Sequence, residues 1–150
     1  MPHQGMIVAH QFGEDLPAFA SVAEARQSLF AARDTGLVDL TAAPALQSAL
    51  DYSPNSLNVL EQWFFISGQP ITLPTGYSTA HAIGFYLGEV FCRHGGFMWV
   101  VEEFVFSPGR YEIGVGRSQL SIMLTKGRSL RAAGNKQMRS LSREFAKYAT

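Results

Sequence analysis

Apolar residues follow a helical period in the first half of the chain and an alternating period later on. Residues 1–20 read as irregular, with one short strand expected at 6–9. Ser21-Val-Ala-Glu24 is a capping box, in which Ser21 bonds the third amide of a helix and Glu24 reaches back to the cap. Ala25, Leu29 and Ala32 keep helical spacing, so a helix is predicted to about residue 33, with Gly36 as its C-terminal stop. A second, short helix is expected over 44–50. Ser53 then suits an N-cap and Pro54 the first helical position of a third helix. Leu57, Leu60 and Phe64 stripe its apolar side, with Trp63 beside them. Two prolines and two glycines make 68–76 a loop.

The helix predicted over 79–94 carries the most information. Each residue turns by about 100°. His81, Phe85, Glu89, Cys92 and Arg93 therefore share one arc, and nearly everything outside it is apolar or small. Such a helix is mostly buried, with one narrow polar edge. Ala80, Gly84 and Gly88 repeat every fourth residue, a spacing that lets another element pack closely on a sheet or helix. Gly95 and Gly96 end it.

The period then changes to two. Residues 97–106 are rich in β-branched and aromatic side chains and read as a strand. Met98, Val100, Glu102, Phe104 and Phe106 point one way, and Phe97, Trp99, Val101, Glu103 and Val105 the other. Both faces are mostly apolar, so a central strand is expected. Ser107-Pro-Gly-Arg110 is a turn, and the chain returns over 111–115 as the partner strand. Residues 119–125 fit either a third strand or a helix start. A basic connector covers 127–135 and an amphipathic helix 136–148. Helices, then strands, then a helix predict one α+β domain over 1–150: N-terminal helices packed on a small antiparallel sheet, closed by a C-terminal helix.

Composition narrows the class. The 150 residues are 47% hydrophobic and only 16% charged, which excludes intrinsic disorder. The low charge density hints at surface that something else covers. The single Cys92 excludes an internal disulfide framework and multi-thiolate zinc sites. No run approaches the roughly 20 apolar residues of a spanning helix, and the first ten residues lack the pattern of a secretory signal. A cytoplasmic protein with no membrane association is the expectation. The net charge of zero hides an asymmetry. Residues 1–75 hold two basic against seven acidic side chains, a net of −5; residues 76–150 hold ten against five, +5. Either the two halves attract each other within the fold, or one presents charge to a partner.

Candidate chemistry is sparse. His94 lies about 220° around the helix from His81, so the two do not share a metal ion on one helix, and no metal or other cofactor is expected. No Gly-x-Ser-x-Gly elbow or Walker loop occurs, and the third glycine of a dinucleotide loop begun by Gly114 and Gly116 would fall at Gln119. Cys92, on a mostly buried helix, reads as a small hydrophobe. Glu102 and Glu103 face opposite sides of their strand and do not act as one dyad. They are expected either to pair with Arg110 or Arg117 or to meet a partner. The basic C-terminus, with Arg128, Arg131, Lys136, Arg139, Arg143 and Lys147, offers phosphate contacts but few stacking aromatics, so nucleic acid is not the expected partner.

Leu50-Asp-Tyr-Ser-Pro-Asn-Ser-Leu57, Phe85-Tyr-Leu-Gly-Glu-Val90 and Gly95-Gly-Phe-Met-Trp99 together form a familiar pattern over residues 50–106. It resembles small uncharacterised bacterial domains found among the immunity genes of contact-dependent and secreted toxin systems. The resemblance implies a protein without enzymatic activity that binds and neutralises a cognate toxin. Trp99, Glu102, Glu103, Tyr111 and Glu112 are the candidate partner-binding residues, with Trp63 as a further aromatic anchor. A homodimer is a second expected association. Two alternatives stay open: a ligand-binding or enzymatic site assembled from His81, Glu89 and Arg117, and a regulatory or nucleic-acid module using the basic tail.

Overall fold

A computed structural model describes residues 16–66, 79–124 and 141–149. Four helices and one sheet run in the order α1 (Val22–Thr41), α2 (Ser56–Ile66), α3 (Thr79–Gly95), β1 (Met98–Glu103), β2 (Tyr111–Arg117), β3 (Leu120–Met123) and α4 (Leu141–Ala149). The α+β architecture expected from the hydrophobic periods is the one observed. The strand expected at 6–9, the loop at 68–76, the connector at 127–135 and the start of the last helix lie outside the described residues.

Helix α1 begins with the expected Ser21 cap, while Glu24 reaches one residue beyond the cap. Ser21 Oγ accepts from the Glu24 amide at 3.2 Å, and the Glu24 carboxylate reaches back to the Ala20 amide at 3.2 Å. The helix does not stop at Gly36. It runs on to Thr41, because Leu37 and Leu40 are buried and hold the extra turn in the core. Gly36 is instead a contact point: a Cβ there would lie 3.0 Å from the Phe85 ring of α3. Its usual helix penalty of about 1 kcal/mol is offset by close packing of the two helices.

Residues 44–50 form successive turns rather than the expected helix. Two of their backbone bonds span three residues, Leu46 to Ala43 and Ala49 to Leu46, which is tighter than an α-helix. So short a segment does not propagate a helix, yet Leu46 and Leu50 still enter the core. Ser53 does cap the start of α2, its hydroxyl accepting from the Ser56 amide at 3.2 Å. Leu57 and Leu60 are fully buried, as the apolar stripe of α2 predicts.

Helix α3 is the centre of the molecule. Ala82, Ile83, Tyr86, Val90 and Phe91 are inaccessible to solvent, and the helix touches α1, α4 and the inner face of the sheet. Gly88 makes the sheet contact possible: a Cβ there would overlap both Leu124 and the Trp99 ring. Arg117 closes the far end. It donates to the Gly95 carbonyl at 2.6 Å and the Tyr148 carbonyl at 3.1 Å, placing a cation at the C-termini of α3 and α4.

The sheet is antiparallel with strand order β1-β2-β3. Among the described residues β1 is thus an edge strand, not the central one expected from its apolar faces. The central strand is β2, and its Gly114 lets β3 approach: a Cβ there would overlap the Ile122 carbonyl and the Met123 backbone. The register Glu102↔Glu112, Val101↔Ile113 and Trp99↔Val115 sorts the faces. Trp99, Val101, Tyr111, Ile113, Val115 and Ile122 face the helices. Met98, Val100, Glu102, Glu112 and Met123 face away, and Met98 is 73% exposed. Residues 119–125 resolve as a strand over Leu120–Met123.

Candidate functional site

The five positions singled out for partner binding divide between the two faces of the sheet. Glu102 and Glu112 are direct cross-strand partners on the outward face. Trp99, Glu103 and Tyr111 belong in register to the inward face. Tyr111 is buried at 6% exposure and packs its ring edge-on to Phe19 at 6.1 Å. Trp99 is half-buried, and Trp63 is half-buried on α2, away from the acidic pair's strands. Of the five, Glu102 and Glu112 share the outward face, and Glu103 is exposed at the same strand end on the other side.

These carboxylates lie at the hairpin end of the sheet. Glu102 and Glu103 are exposed, and Glu112 is half-exposed beside Glu102. Like charges directly opposite one another weaken strand pairing by a few tenths to about 1 kcal/mol. The expected ion pairs with Arg110 and Arg117 do not form. Arg110 turns instead to the Leu16 carbonyl, and Arg117 to the helix ends. Glu102 accepts from the Ser121 hydroxyl at 3.2 Å, and Glu103 from the Gly109 amide at 2.7 Å. The second bond fixes the turn, where Gly109 takes φ +85°. The turn also carries Val105 at 78% and Phe106 at 65% exposure, an apolar tip next to the acidic strand end. Alternation along β1 gave the two faces, but nothing in the sequence separated the exposed Phe106 from the buried aromatics.

A second polar cluster surrounds Glu89 on the edge of α3. Its carboxylate accepts from Trp99 Nε1 at 3.0 Å and from Arg93 Nε at 2.9 Å. Arg93 lies over the Tyr52 ring at 4.0 Å, and Arg33 over the Trp99 ring at 5.2 Å. These bonds tie α1, the 51–53 turn, α3 and β1 together. Burial pushes the Cys92 thiol up to about 11, helped by the Glu89 charge and opposed by Arg33. A thiol so shifted is protonated at neutral pH and is a poor nucleophile.

The dispersed site of His81, Glu89 and Arg117 does not assemble. Arg117 is engaged at Gly95, about 21 Å along α3 from His81 at 1.5 Å per residue. Among the described residues, no three His, Cys, Asp or Glu side chains converge as metal ligands, and no helix is long and apolar enough to cross a membrane. Of the basic tail, Arg143 and Lys147 are described, both exposed on α4.

A deeper network, not anticipated from the sequence, anchors the 51–53 turn. Ser56 donates its hydroxyl proton to the Ser53 carbonyl at 2.6 Å. The Tyr86 hydroxyl, 2.6 Å from Ser56 Oγ, must then be the donor in that contact, and it accepts from the Tyr52 amide at 2.8 Å. The Tyr52 and Tyr86 rings stack at 4.8 Å, holding Tyr52 at φ +64°. The signal available was the cluster of turn-forming residues Asp51, Ser53 and Pro54.

Residues 18–149 fit the family described as "Uncharacterised protein YwmA". No curated protein and no solved structure matches the chain.

Proposed function

We propose that this chain, which belongs to the uncharacterised YwmA family, is a binding protein without enzymatic activity that docks a basic partner protein on the hairpin end of its sheet. The observation that carries this reading is the exposed group of Glu102, Glu103 and Glu112 next to the apolar tip of Val105 and Phe106. Exposed carboxylates at the strand end offer a cationic partner a charge contact. An exposed apolar tip flanked by polar side chains is the usual make-up of a protein contact, the tip anchoring and the charges steering. The resemblance over residues 50–106 supports a more specific partner, a bacterial toxin whose activity the complex blocks by occlusion.

Co-expression with the product of the neighbouring gene tests this. The expected result is a complex that co-purifies at moderate salt, is lost on Glu102→Lys with Glu112→Lys, and protects the host if the neighbour is toxic. A complex unaffected by both charge reversals would overturn the acidic docking face. A complex without protection would leave docking and remove the toxin reading.

A further inference from the structure

The hydrogen-bond parity of the sheet fixes which backbone groups of β1 are unused. In β2, the Tyr111 amide donates to the Pro17 carbonyl, and the Ile113 carbonyl accepts from the Leu124 amide. Odd-numbered residues of β2 therefore turn away from β1. The Arg110 carbonyl accepts from the Phe104 amide, so even-numbered residues turn toward it. In an antiparallel ladder, residues directly opposite share the same parity of bonding. With Met98↔Gly116, Val100↔Gly114 and Glu102↔Glu112 in register, these three β1 residues direct their N–H and C=O groups at β2. Trp99, Val101 and Glu103 direct theirs at the opposite edge. Among the described residues, none of these edge groups has a hydrogen-bond partner.

We infer that β1 is a strand-addition edge that takes an extended segment of a partner protein carrying Lys or Arg at the Glu102–Glu103 end and apolar residues toward Met98 and Val100. The inference rests on the proposed docking function and names its mode. Edge amides spaced two residues apart, about 6.8 Å, match the repeat of an incoming strand and supply affinity without regard to its sequence. The side chains supply the selection. An added residue beside Glu102 lies on the outward face with it, so a lysine there meets the exposed Glu102 carboxylate. Toward the other end, Met98 is 73% exposed and Val100 half-buried, which suits an apolar neighbour. A second copy pairing antiparallel about Val101 would set its Val100 beside Glu102 and its Trp99 beside Glu103, so it offers these carboxylates no cation. Charge on an edge strand is a common guard against self-pairing. The occupant favoured is therefore a basic strand of another protein.

The test uses the full chain, labelled with nitrogen-15, and three acetylated heptapeptides. The first has two lysines followed by alternating valine and threonine. The second is the same peptide N-methylated at alternate amides, which blocks pairing along one edge. The third has glutamates in place of the lysines. The first peptide is expected to slow hydrogen exchange at the Trp99, Val101 and Glu103 amides by about tenfold or more at saturation, with the other two peptides binding at least about tenfold more weakly. Equal binding of the methylated peptide would overturn strand addition while leaving acidic docking intact. Equal binding of the glutamate peptide would overturn the charge selection. Failure of all three to bind at millimolar concentration, or concentration-dependent protection of these amides without peptide, would overturn the inference. The second of those results would assign the edge to a homodimer.

Discussion

Replacing Tyr86 by Phe removes one oxygen from a fully buried side chain and leaves the ring packing intact. That oxygen is the middle of the relay from the Tyr52 amide to the Ser56 hydroxyl and on to the Ser53 carbonyl. Without it, the Tyr52 amide loses its acceptor, while Ser56, only 3% exposed, keeps Ser53 and loses a donor. An orphaned buried donor costs about 1–3 kcal/mol, so Tyr86→Phe should destabilise by about 2 kcal/mol. For a chain of this size that is a fall in Tm of roughly 4–8 °C. Urea unfolding gives the free energy and a thermal melt the Tm. Tyr52→Phe is the control, because the Tyr52 hydroxyl takes part in none of these bonds; it should stay within about 0.5 kcal/mol of wild type. The relay also has an alkaline signature. Burial raises the Tyr86 pKa above 10.0, so the unfolded chain loses its phenol proton first and stability falls as pH rises past 10. Tyr86→Phe should flatten that part of the slope. A Tyr86→Phe protein within about 0.5 kcal/mol of wild type, or equal effects of the two phenylalanines, would refute the relay.

Gly88→Ala should cost about 1–3 kcal/mol by denaturant unfolding, since its methyl would overlap Leu124 and Trp99; an unchanged midpoint would mean that β1 can shift away from α3. The Cys92 thiol, shifted from 9.0 to about 11, should react with a disulfide reagent at pH 8 on the order of 100-fold more slowly than an unperturbed thiol, with the rate still rising above pH 10. Rapid labelling of the folded chain at pH 8 would contradict the burial. Glu102→Lys should raise stability by a few tenths to about 1 kcal/mol, because it turns a like-charge cross-strand pair into an opposite-charge one; a clear loss of stability would show that the acidic pair supports the fold.

Local signals in the sequence were reliable where one residue's chemistry decides the backbone. The Ser21 cap, the Ser53 cap and the Gly109 turn all form. The polar edge of α3 was also legible, because a buried helix leaves only one arc for Glu89, Arg93 and Cys92. Errors arose where tertiary contact overrides local preference. Gly36 looked like a stop because glycine ends helices, but Phe85 needs the space it leaves. β1 looked central because Met98 and Val100 are apolar, and no property of either residue says that their face is open. The glycines of β2, which weaken a strand locally, instead admit β3. The candidate site was half visible: Glu102 and Glu112 were named, but their register as direct partners depends on where the hairpin turns. The exposure of Phe106, and the edge of β1 left open among the described residues, depend on the whole sheet.

The central claim is that Glu102, at the acidic hairpin end, binds a partner. It is tested most directly by measuring, on the same preparations, the unfolding free energy of wild type and Glu102→Lys and their affinity for the co-purifying partner by titration calorimetry. The expected result is an affinity at least about tenfold weaker for Glu102→Lys, in a fold at least as stable as wild type. Equal affinities, or weaker binding that merely tracks a loss of stability, would contradict the claim.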